Sequence, residues 1–554
     1  MPELNFHPLS ISTKGTQDIY TGRWGVIKPF FQEKLSACRA QCPGSIHIPR
    51  FMNQVQEENL VEAWRTICEE NPMPRITGRV CPHPCEEDCL RQILDERIAI
   101  RQVERFVGDW AFQQGFSHFE TAPLPNGHKV AVIGSGPAGI GCAYHLLKWG
   151  YPVSVFEAMP ELGGLLRYGI PSYRLPKNVL SEELEMILEG RVNLHRGVTV
   201  GRDVSWEEIR SDFQGVFLGP GAQKSIRLGL DGEDRGGIVD GIHFLTTAEK
   251  EPWAKPDQKV LILGGGNTAF DVARTVLRLG GLPMILYRRS KEEMPAFEDE
   301  IIEAEEEGIE IRILVSPKEI VRDEEGVKGL ICLRNRLTDI GLDGRKGFIP
   351  IEGSDHMIEG DLIIMALGQL ADISAIPTSI KVVDDAVAVT EYGSCGPEGI
   401  FAGGDVTPET RSIVHALASG KRAAMGLDAY FKNQKNVHTD AIEPQVLVNS
   451  DQINLHYFCK TSRKEALRRP SEERSSDFKE IAATLSPEAA TREVSRCFGC
   501  GTCDTCGNCD FFCPDMAVHC EPQTGHVLID KNYCKGCCIC IEECPRGVMS
   551  MEEI

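Results

Sequence analysis

The chain has 554 residues, and its 42% hydrophobic and 25% charged residues are typical of a globular protein. At roughly 150 residues per domain this length predicts about three or four domains, and no apolar run reaches the roughly 18 residues of a membrane span. The 81 acidic residues outnumber the 59 Lys and Arg, and a formal charge of -22 disfavours nucleic acid and anionic lipid as partners.

The 22 cysteines are concentrated at the two ends of the chain. Six lie from Cys38 to Cys89, twelve lie from Cys497 to Cys544, and four lie in the long middle. The N-terminal residues MPELNFHPLSISTKG lack the basic and then apolar pattern of a signal peptide, so we expect a cytoplasmic protein without disulfides. Clustered thiols in a reducing compartment indicate metal or redox chemistry.

A first β-α-β unit follows the N-terminal cysteines. The strand KVAVI (129–133) precedes the turn GSGPAG (134–139), a helix and a second strand that ends at Glu157. The glycines allow a tight turn, close approach of a pyrophosphate and close helix packing, and the acid accepts a hydrogen bond from a ribose hydroxyl. The pattern predicts these dinucleotide-binding residues: Gly134, Gly136, Pro137, Ala138, Gly139 and Glu157.

The pattern returns between residues 259 and 289, as the strand KVLIL, the turn GGGNTA and a strand that ends in two arginines. A carboxylate at that end would repel a 2′-phosphate, whereas a guanidinium group binds it. The second repeat is therefore predicted to bind NADP(H) in preference to NAD(H). At least one arginine is expected to contact the nucleotide, the alternative being that an arginine is only solvated. The predicted contacts are Gly264, Gly266, Arg288 and Arg289.

A third element, GIFAGGD (399–405), precedes a helix that we expect to start near Ser412. An acid after a strand can bind the ribityl hydroxyls of a flavin, and a helix N-terminus beside the pyrimidine edge would stabilise the reduced ring. Gly404, Asp405 and Ser412 are therefore predicted to complete an FAD site, into whose domain the NADP-binding unit is inserted. The alternative is a strand, turn and helix that bind no ligand.

Six segments carry a resemblance to a known family: GPAGIGCAYHL, FEAMPELGGLLRYGIPSYRLPK, GGGNTAFDVAR, YRRSKEEMPA, MALGQ and FAGGD. In order and spacing they resemble the small subunit of glutamate synthase, over roughly Cys38 to Met425. Similar segments occur in the NADPH-binding half of dihydropyrimidine dehydrogenase and in the flavoprotein subunit of the transhydrogenase that bifurcates electrons to ferredoxin.

The resemblance implies further contacts. It adds Gly164, Leu165 and Arg174 to the FAD site. It places a second group at the nicotinamide nucleotide, namely Asn267, Thr268, Ala366, Leu367 and Gly368. One departure is Gly219-Pro220-Gly221, where the family has an Ala-Thr-Gly turn.

The spacing C-x2-C-x2-C-x3-C-P occurs twice near the C-terminus, starting at Cys503 and at Cys534. This is the spacing of a two-cluster bacterial ferredoxin, in which three close cysteines bind one [4Fe–4S] cluster and the fourth binds the other. A zinc ribbon would use cysteine pairs instead. The predicted ligands are Cys503, Cys506, Cys509 and Cys544 for one cluster, and Cys534, Cys537, Cys540 and Cys513 for the other.

The N-terminal cysteines, in the strings 38–43 and 81–89, resemble the paired iron–sulfur motifs of the same family. The resemblance implies one cluster held by Cys42, Cys81, Cys85 and Glu104. The family completes its other cluster with an upstream Arg-Cys-x-x-Cys string, which this chain has instead at residues 496–500. We therefore predict a cluster shared between the two ends, within one chain or between subunits. Its ligands would be Cys38, Cys89, Cys497 and Cys500. The alternative is that Cys38 and Cys89 are spare thiols.

Seven cysteines remain and are expected to be ordinary buried thiols: Cys68, Cys142, Cys332, Cys395, Cys459, Cys520 and Cys538. Residues 436–496 are predicted to form a connecting arm. We expect its charged stretch, KTSRKEALRRPSEERSSDF (460–478), to be a solvated helical face, with a basic docking patch as the alternative.

The expected architecture has an N-terminal α-helical iron–sulfur domain, two α/β Rossmann-like domains for FAD and NAD(P), and a C-terminal α+β ferredoxin-like domain. The expected boundaries are 1–125 for the helical domain, 126–250 and 373–435 for the FAD domain, 251–372 for the inserted NAD(P) domain, 436–496 for the arm and 497–554 for the ferredoxin domain.

NAD(P)H gives a hydride whereas an iron–sulfur cluster accepts one electron, so a flavin must lie between them. The sequence therefore predicts an NAD(P)H oxidoreductase that exchanges electrons, through FAD and four [4Fe–4S] clusters, with a protein redox partner. No catalytic acid, base or nucleophile is expected. The partner could be a 2-oxoacid:acceptor oxidoreductase, a dissimilatory sulfite reductase system or ferredoxin, in a homodimer or hetero-oligomer. The alternatives are a glutamate synthase small subunit, which normally lacks the ferredoxin tail, and a carrier subunit with vestigial nucleotide sites.

Overall fold

The computed structural model describes residues 20, 22, 25–119, 126–188, 190–251, 253–341, 344–373, 376–434, 446–521 and 526–553. Residues 1–15, which bear on a signal peptide, and the expected boundaries at residues 125 and 436 lie outside the described residues.

The described helices are α1 (Ala37–Gln41), α2 (Ile48–Gln56), α3 (Leu60–Cys68), α4 (Pro74–Val80), α5 (Pro84–Glu87), α6 (Ile100–Gln113), α7 (Pro137–Lys148), α8 (Leu165–Tyr168), α9 (Lys177–Leu188), α10 (Trp206–Asp212), α11 (Gly241–Thr247), α12 (Asn267–Arg278), α13 (Glu298–Glu306), α14 (Ile413–Phe431), α15 (Ser471–Arg474), α16 (Pro487–Val494), α17 (Asn508–Phe511) and α18 (Ile539–Glu542). Within the described residues, none of these helices has both the length and the apolar character needed to cross a membrane.

The described strands are β1 (Ile27–Phe31), β2 (Val130–Ile133), β3 (Val153–Glu157), β4 (Val192–Arg196), β5 (Gly215–Leu218), β6 (Lys224–Ser225), β7 (Ile238–Asp240), β8 (Lys259–Leu263), β9 (Leu282–Leu286), β10 (Glu310–Arg312), β11 (Val315–Asp323), β12 (Gly326–Ile340), β13 (Lys346–Pro350), β14 (His356–Glu359), β15 (Leu362–Met365), β16 (Gln369–Leu370), β17 (Val382–Val383), β18 (Ala386–Val387), β19 (Ile400–Ala402), β20 (Val518–Cys520), β21 (Val527–Ile529) and β22 (Met549–Glu553).

A bundle of short helices, α1 to α6, follows β1. In α2, Pro49 occupies the first turn, where its missing N–H has no intrahelical partner to lose, and Phe51 and Met52 face the core. Helix α3 packs on α2, and α4 packs on α6. The last two backbones approach so closely that a Cβ on Gly78 would lie 2.5 Å from the Cα of Arg105. Because the helices are short, the N-terminal cysteines lie in or next to their ends.

The first parallel sheet has the strand order β19-β5-β2-β3-β4. In its centre, Val132 of β2 lies opposite Val155 of β3 on one side and Phe217 of β5 on the other. Strands that are apolar at every position are buried on both faces of a sheet, and α7 and α14 pack on these strands and on each other. The neighbouring strands β5 and β19 are separated in sequence by residues 219–399. The first part of this stretch forms an inserted unit, whereas Ala371, Ile380 and Val387 return to the core of the first sheet.

The inserted unit contains a second parallel sheet, with the order β10-β9-β8-β15-β7, and an antiparallel sheet of β11, β12, β13 and β14. The chain passes between the two units along the short antiparallel pair of β6 and β16. Strand β7 belongs to the second sheet because it pairs with β15. The expected boundary at residue 251 is therefore too late, since a strand of three residues has too little periodicity to be recognised in the sequence.

The two ends of the chain meet. Strand β1 pairs antiparallel with the C-terminal β22, with Ile27 opposite Glu553 and Phe31 opposite Met549. The backbone N–H of Lys34 donates to the Gly501 carbonyl at 2.9 Å. The region after residue 500 adds the antiparallel pair of β20 and β21 and the short helices α17 and α18. The N-terminal bundle and the C-terminal cysteines therefore lie side by side in one chain.

The charged stretch of the arm differs from our expectation. Only α15 is helical within residues 460–478, and the stretch lies against the other units instead of facing solvent as a helix. Arg463 donates to Glu86 at 2.8 Å, and the buried Arg474 donates to Glu307 at 3.1 Å. The prediction of a solvated helical face is wrong because these two arginines pair with carboxylates that lie more than 150 residues away in the sequence.

Candidate functional site

A cavity of about 650 Å³, here called the central cavity, lies between the carboxyl ends of the two parallel sheets. Doubly wound folds bind nucleotides at this end of their strands. The expected FAD contacts that line it are Gly134, Gly136, Pro137, Ala138, Glu157, Gly164, Leu165, Arg174, Gly404, Asp405 and Ser412. The expected nicotinamide nucleotide contacts that line it are Asn267 and Thr268.

The first glycine-rich turn is closed on its protein side and open on its cavity side. A Cβ on Gly139 would lie 1.9 Å from the carbonyl oxygen of Gly134, and a Cβ on Gly134 would lie 2.2 Å from that of Gly219. Gly136, in contrast, has no heavy atom within 4 Å of the position of a Cβ. Gly136 precedes α7 and leaves the first turn of that helix without a side-chain cap. This arrangement fits a pyrophosphate, which would accept hydrogen bonds from the free N–H groups.

Glu157 is fixed at the edge of the cavity by hydrogen bonds. One carboxylate oxygen accepts from the Ser135 N–H at 3.0 Å and from its hydroxyl at 2.5 Å, and the other accepts from the Met159 N–H at 2.8 Å. Ser135 was not among the expected residues, although it lies inside the glycine motif, because the motif does not specify the residue at that position. The buried carboxylate is therefore oriented before any ligand binds.

The N-terminus of α14 faces the cavity. Ser412 caps this helix and its hydroxyl lies 2.8 Å from Nδ1 of His415, while Ser412 and Ile413 both line the cavity. Burial raises the pKa of the Asp405 carboxyl in the preceding turn. Because α14 spans 19 residues, its N-terminus has the partial positive charge of a complete helix, which would stabilise negative charge on a ligand.

The second glycine-rich turn has the same construction. A Cβ on Gly264 would lie 2.2 Å from the Ala366 carbonyl oxygen, and Gly266 precedes α12 without a side-chain cap. Leu367 and Gly368 continue from Ala366 beyond the end of β15. The three expected contacts 366–368 therefore lie beside the turn, although they do not line the central cavity.

The two expected phosphate-binding arginines follow β9, at the same edge of the second sheet. The intervening Tyr287 packs on the turn, since a Cβ on Gly265 would lie 2.5 Å from its ring. Arg288 is exposed, with its guanidinium 5.1 Å from the centroid of the Phe348 ring, and Arg289 is partly buried. Both arginines lie outside the central cavity and next to the second glycine-rich turn.

Arg174 links the two nucleotide units. It lines the central cavity, and its guanidinium donates to both carboxylate oxygens of Asp271 at 2.9 and 2.8 Å and pairs with Glu300 at 2.8 Å. Burial opposes the charge, but the two carboxylates hold the pKa of Arg174 above its usual range. The Arg174 side chain therefore lines the cavity and also stabilises its wall through these ion pairs.

Four groups of side chains have the expected ligand composition, and we number them as cysteine sites. Cysteine site 1 comprises Cys42, Cys81, Cys85 and Glu104. Its members are all buried, and Glu104 accepts hydrogen bonds from Asn71 at 2.8 Å and Thr77 at 2.5 Å. Burial raises the pKa of the Glu104 carboxyl to about 7, and burial followed by the nearby Glu104 and Cys42 raises the pKa of the Cys81 thiol. Nothing in the sequence pointed to Asn71 or Thr77, because the pattern does not show what holds a ligand in place.

Cysteine site 2 comprises Cys38, Cys89, Cys497 and Cys500. All four line one small cavity within a single chain. Two fully buried arginines hold the ends together here, since Arg91 donates to the Arg496 carbonyl at 2.8 Å and Arg496 pairs with Asp95 at 2.9 Å. Residues from the two ends of the sequence thus meet at this site.

Cysteine site 3 comprises Cys503, Cys506, Cys509 and Cys544, and cysteine site 4 comprises Cys513, Cys534, Cys537 and Cys540. The members of site 3 line one small cavity. At site 4, burial and then the nearby thiols of Cys534, Cys537 and Cys513 raise the pKa of the Cys540 thiol to about 12.

The same hydrogen bond occurs at the first cysteine of four runs. A backbone N–H two residues later donates to the sulfur of Cys81, Cys497, Cys503 and Cys534, at 3.3 to 3.4 Å. Such bonds favour the thiolate, which is the form that binds iron. Among the described residues, no three His, Cys, Asp or Glu side chains form a site for a single metal ion. The thiols of sites 2 and 3 surround a shared space instead, as the ligands of a multi-iron cluster would.

Cysteine site 1 begins at the wall of the central cavity. Val80 and Pro82, on either side of Cys81, line that cavity. A Cβ on Gly44 would lie 3.7 Å from both the Cys42 sulfur and Val414 of α14. Site 1 is therefore next to the N-terminus of α14.

Sites 1, 2 and 3 follow one another through short stretches of chain. Cys38 of site 2 and Cys42 of site 1 are four residues apart at α1, and Cys89 and Cys85 have the same spacing at α5. Each pair therefore supplies one cysteine to each of two neighbouring sites from a single short stretch of chain. Cys500 of site 2 and Cys503 of site 3 are three positions apart in the sequence. The sites therefore form a series from the cavity to the C-terminal region.

The expectation for the seven remaining cysteines is correct for only four of them. Cys68, Cys142, Cys332 and Cys395 are buried, whereas Cys459 is exposed and Cys538 is partly exposed. Cys520 is also partly exposed, and it lines the cavity of site 3. Cys520 was expected to be an ordinary buried thiol because it lies outside the two regular cysteine runs.

Two nucleotide-binding turns at one cavity, with cysteine sites that begin at its wall, define a flavin- and iron–sulfur-dependent oxidoreductase. The family described as pyridine nucleotide-disulphide oxidoreductase matches residues 128–420, and the chain belongs to this family. A second family, described as dihydropyrimidine dehydrogenase domain II with a 4Fe-4S cluster, matches residues 32–116.

Characterised relatives agree with this class. The chain is 34% identical over 510 residues to NADP(+)-dependent formate dehydrogenase subunit beta of Moorella thermoacetica, covering 85% of this chain and 71% of the relative. It is 32% identical over 520 residues to NADPH-Fe(3+) oxidoreductase subunit beta of Geobacter sulfurreducens (strain DL-1 / KN400), covering 86% and 77%. It is 33% identical over 413 residues to glutamate synthase [NADPH] small chain of Escherichia coli (strain K12), covering 70% and 87%.

These matches confirm the predicted family and activity. The chain is an FAD- and iron–sulfur-dependent NAD(P)H oxidoreductase.

Proposed function

We propose that this chain is the NADPH-handling subunit of a multi-subunit enzyme and exchanges electrons with a partner protein through its C-terminal region. The observation that carries the proposal is the series of cysteine sites, which starts at the central cavity and continues to that region within one chain. The proteins named as relatives include subunits of larger enzymes.

The first glycine-rich turn, Glu157 and residues 404–412 would hold FAD. The free N–H groups after Gly136 would bind its pyrophosphate, Glu157 would orient a ribose, and the N-terminus of α14 would stabilise negative charge on the ring. The second turn would hold the nicotinamide nucleotide, with Arg288 and Arg289 at its 2′-phosphate. A bound FAD supplies the conversion between the hydride of NADPH and the single electrons of iron–sulfur clusters.

Each cysteine site would hold one [4Fe–4S] cluster. At site 1 the carboxylate of Glu104 would be the fourth ligand, kept in position by Asn71 and Thr77. Site 2 would be shared between the two ends of the same chain. Sites 3 and 4 would make the C-terminal region a two-cluster ferredoxin-like domain, in which a short helix contains the third cysteine of each run and an antiparallel pair of strands accompanies each half.

The partner would be another redox subunit, in a homodimer or hetero-oligomer. A formate dehydrogenase, a 2-oxoacid:acceptor oxidoreductase or a dissimilatory sulfite reductase would each provide the required acceptor or donor. A glutamate synthase small subunit is less consistent with the chain, because that alignment covers 70% of it whereas the alignment with formate dehydrogenase subunit beta covers 85%. A carrier with vestigial nucleotide sites is also less consistent, since the open space at Gly136 has been kept.

Anaerobic titration of the purified holoprotein tests this proposal. NADPH should bleach the flavin at lower concentration than NADH and should then reduce the clusters, and iron should be present at about sixteen atoms per FAD. A flavin that neither nucleotide reduces would show that the sites are vestigial. About twelve iron atoms per FAD would contradict the assignment of four clusters.

A further inference from the structure

The cavity of cysteine site 3 is lined by five cysteines, although a [4Fe–4S] cluster needs four. The additional cysteine is Cys520, which lies at the end of β20 and belongs to neither regular run. This inference rests on the proposed assignment of site 3 to such a cluster.

The strand geometry directs the Cys520 side chain toward the site. Side chains two residues apart in a strand lie on the same face, and Val518, two residues before Cys520, is buried in a core that it shares with Cys544 and Met549. Cys520 therefore lies on the inner face of β20. Its partner across the strand pair, Val527, lines the same cavity.

Cys520 is adjacent to one particular ligand of the site, Cys509. The Cys520 N–H donates to the carboxylate of Asp510 at 3.0 Å, and Asp510 directly follows Cys509 in α17. Cys509 and Cys520 also line the same cavity. The hydrogen bond therefore places the two cysteines at the same side of that cavity.

The other remaining cysteine of this region provides a contrast. Cys538 also lies outside the regular spacing and is partly exposed, but its thiol donates to the Gly536 carbonyl at 3.6 Å. It is not among the residues that line the cavity of site 3. An extra cysteine near the C-terminus therefore does not by itself reach a cluster site.

We propose that Cys520 is a reserve ligand of the cluster at site 3 and can replace Cys509 on the iron. In this exchange the Fe–S bond to Cys509 would break and one to Cys520 would form, and the proton of the Cys520 thiol would pass through water to the released Cys509 thiolate. No electron is gained or lost. Site 3 would then keep its cluster when one of the four regular ligands is displaced. Its exposed side is at Cys506, which is solvent-accessible.

Iron content in the full-length holoprotein gives the first test. Cys509→Ala should keep about sixteen iron atoms per FAD, whereas Cys509→Ala combined with Cys520→Ala should fall to about twelve. Cys509→Ala combined with Cys538→Ala is the matched control and should keep about sixteen. A fall to about twelve in Cys509→Ala alone, with sixteen in the unaltered protein, would overturn the role of Cys520 without affecting the four-cluster assignment.

A second measurement does not require any regular ligand to be removed. Iron release from the reduced holoprotein to a ferrous chelator should be several-fold faster in Cys520→Ala than in the unaltered protein, because the fifth thiol no longer recaptures the cluster. Cys538→Ala should release iron at the unaltered rate. Equal rates in Cys520→Ala and the unaltered protein would overturn the proposal. Fewer than sixteen iron atoms in the unaltered protein would instead count against the assignment of the clusters.

Discussion

Individual glycines show why the nucleotide motifs could be read from the sequence. Gly139 is required because its backbone contacts the Gly134 carbonyl, whereas Gly136 faces open space. Both positions are glycine in the motif, and only the structure shows that the two glycines are needed for different reasons. Substitution of Gly136 should therefore affect ligand binding, whereas substitution of Gly139 should affect stability.

Gly136→Val should abolish FAD binding without disturbing the fold. Its φ of -68° and ψ of 178° suit valine, and the new side chain would occupy the space proposed for the pyrophosphate. Gly139→Ala should instead destabilise the unit by about 1–3 kcal/mol, because the turn must move. The measurements are FAD per chain and thermal unfolding. Gly236→Val, at another open position away from the cavity, should retain FAD, and loss of FAD in this control would refute the explanation.

The arginine pair after β9 should determine the choice of nucleotide. Arg288→Ala combined with Arg289→Ala should weaken NADPH binding roughly 10- to 100-fold and leave NADH almost unchanged, because a hydrogen bond to a charged group contributes about 1.5–3 kcal/mol. Flavin reduction at graded nucleotide concentrations measures this. Arg312→Ala, which removes an exposed arginine that pairs with Glu310, is the control. An equal loss for both nucleotides would contradict contact with a 2′-phosphate.

At the level of elements, two short helices and the arm place the cysteine sites. The stretches around α1 and α5 each supply two sites from cysteines four residues apart, and the string 496–500 completes site 2 from the other end of the chain. The spacing of four in each stretch can be recognised in the sequence. The contribution of residues 496–500 depends on the pairing of β1 with β22 and on the buried arginines of the arm.

Cys497→Ala should remove the cluster at site 2 alone. Iron should fall by about four atoms per FAD, since three thiols would remain, while NADPH should still reduce the flavin. Electron paramagnetic resonance of the reduced protein should lose one cluster signal. Cys459→Ala, at an exposed cysteine outside the sites, should change neither quantity. Unaltered iron content in Cys497→Ala would refute the shared site.

Arg474→Ala should make local unfolding of the arm more frequent. The guanidinium is buried against Glu307, so its loss should cost about 1–3 kcal/mol locally and speed hydrogen exchange roughly 10- to 100-fold around residues 467–484. Exchange in the first parallel sheet should not change. Lys479→Ala removes a mostly exposed side chain and should leave the exchange rates as they are. If exchange in Arg474→Ala were as slow as in the unaltered protein, the ion pair between Arg474 and Glu307 would not be what holds the arm in place.

At the level of the whole molecule, the surface charge favours a basic partner. Residues 503–553 contain nine Asp and Glu but three Lys and Arg. The formal charge of -22 also counts the ligand cysteines as neutral, whereas clusters held by thiolates are negative, so the loaded protein would be more acidic still. Long-range attraction should therefore steer positively charged partners to the C-terminal region.

The rate of electron transfer from the reduced protein to small acceptors should depend on this negative surface charge. With a cationic acceptor such as methyl viologen, the rate should fall severalfold as salt rises from about 0.05 to 0.5 M, because ions screen the attraction. With an anionic acceptor such as ferricyanide the rate should rise. Flavin reduction by NADPH, measured under the same conditions, separates an effect on the nucleotide from an effect on the acceptor. The same salt dependence for both acceptors would contradict steering by charge.

Short-range patterns were enough to predict the family, the two nucleotide units and the cysteine runs, because turns, helices and cluster motifs require particular residues at nearby positions. The structure alone assigned β7 to the second sheet, packed the arm, placed Asn71 and Thr77 on Glu104, and put Cys520 in the cavity of site 3. These features join residues whose separation in sequence is unrelated to their separation in space. Cys38 and Cys500 meet because the two chain ends pair, and folding of the entire chain is what brings them together.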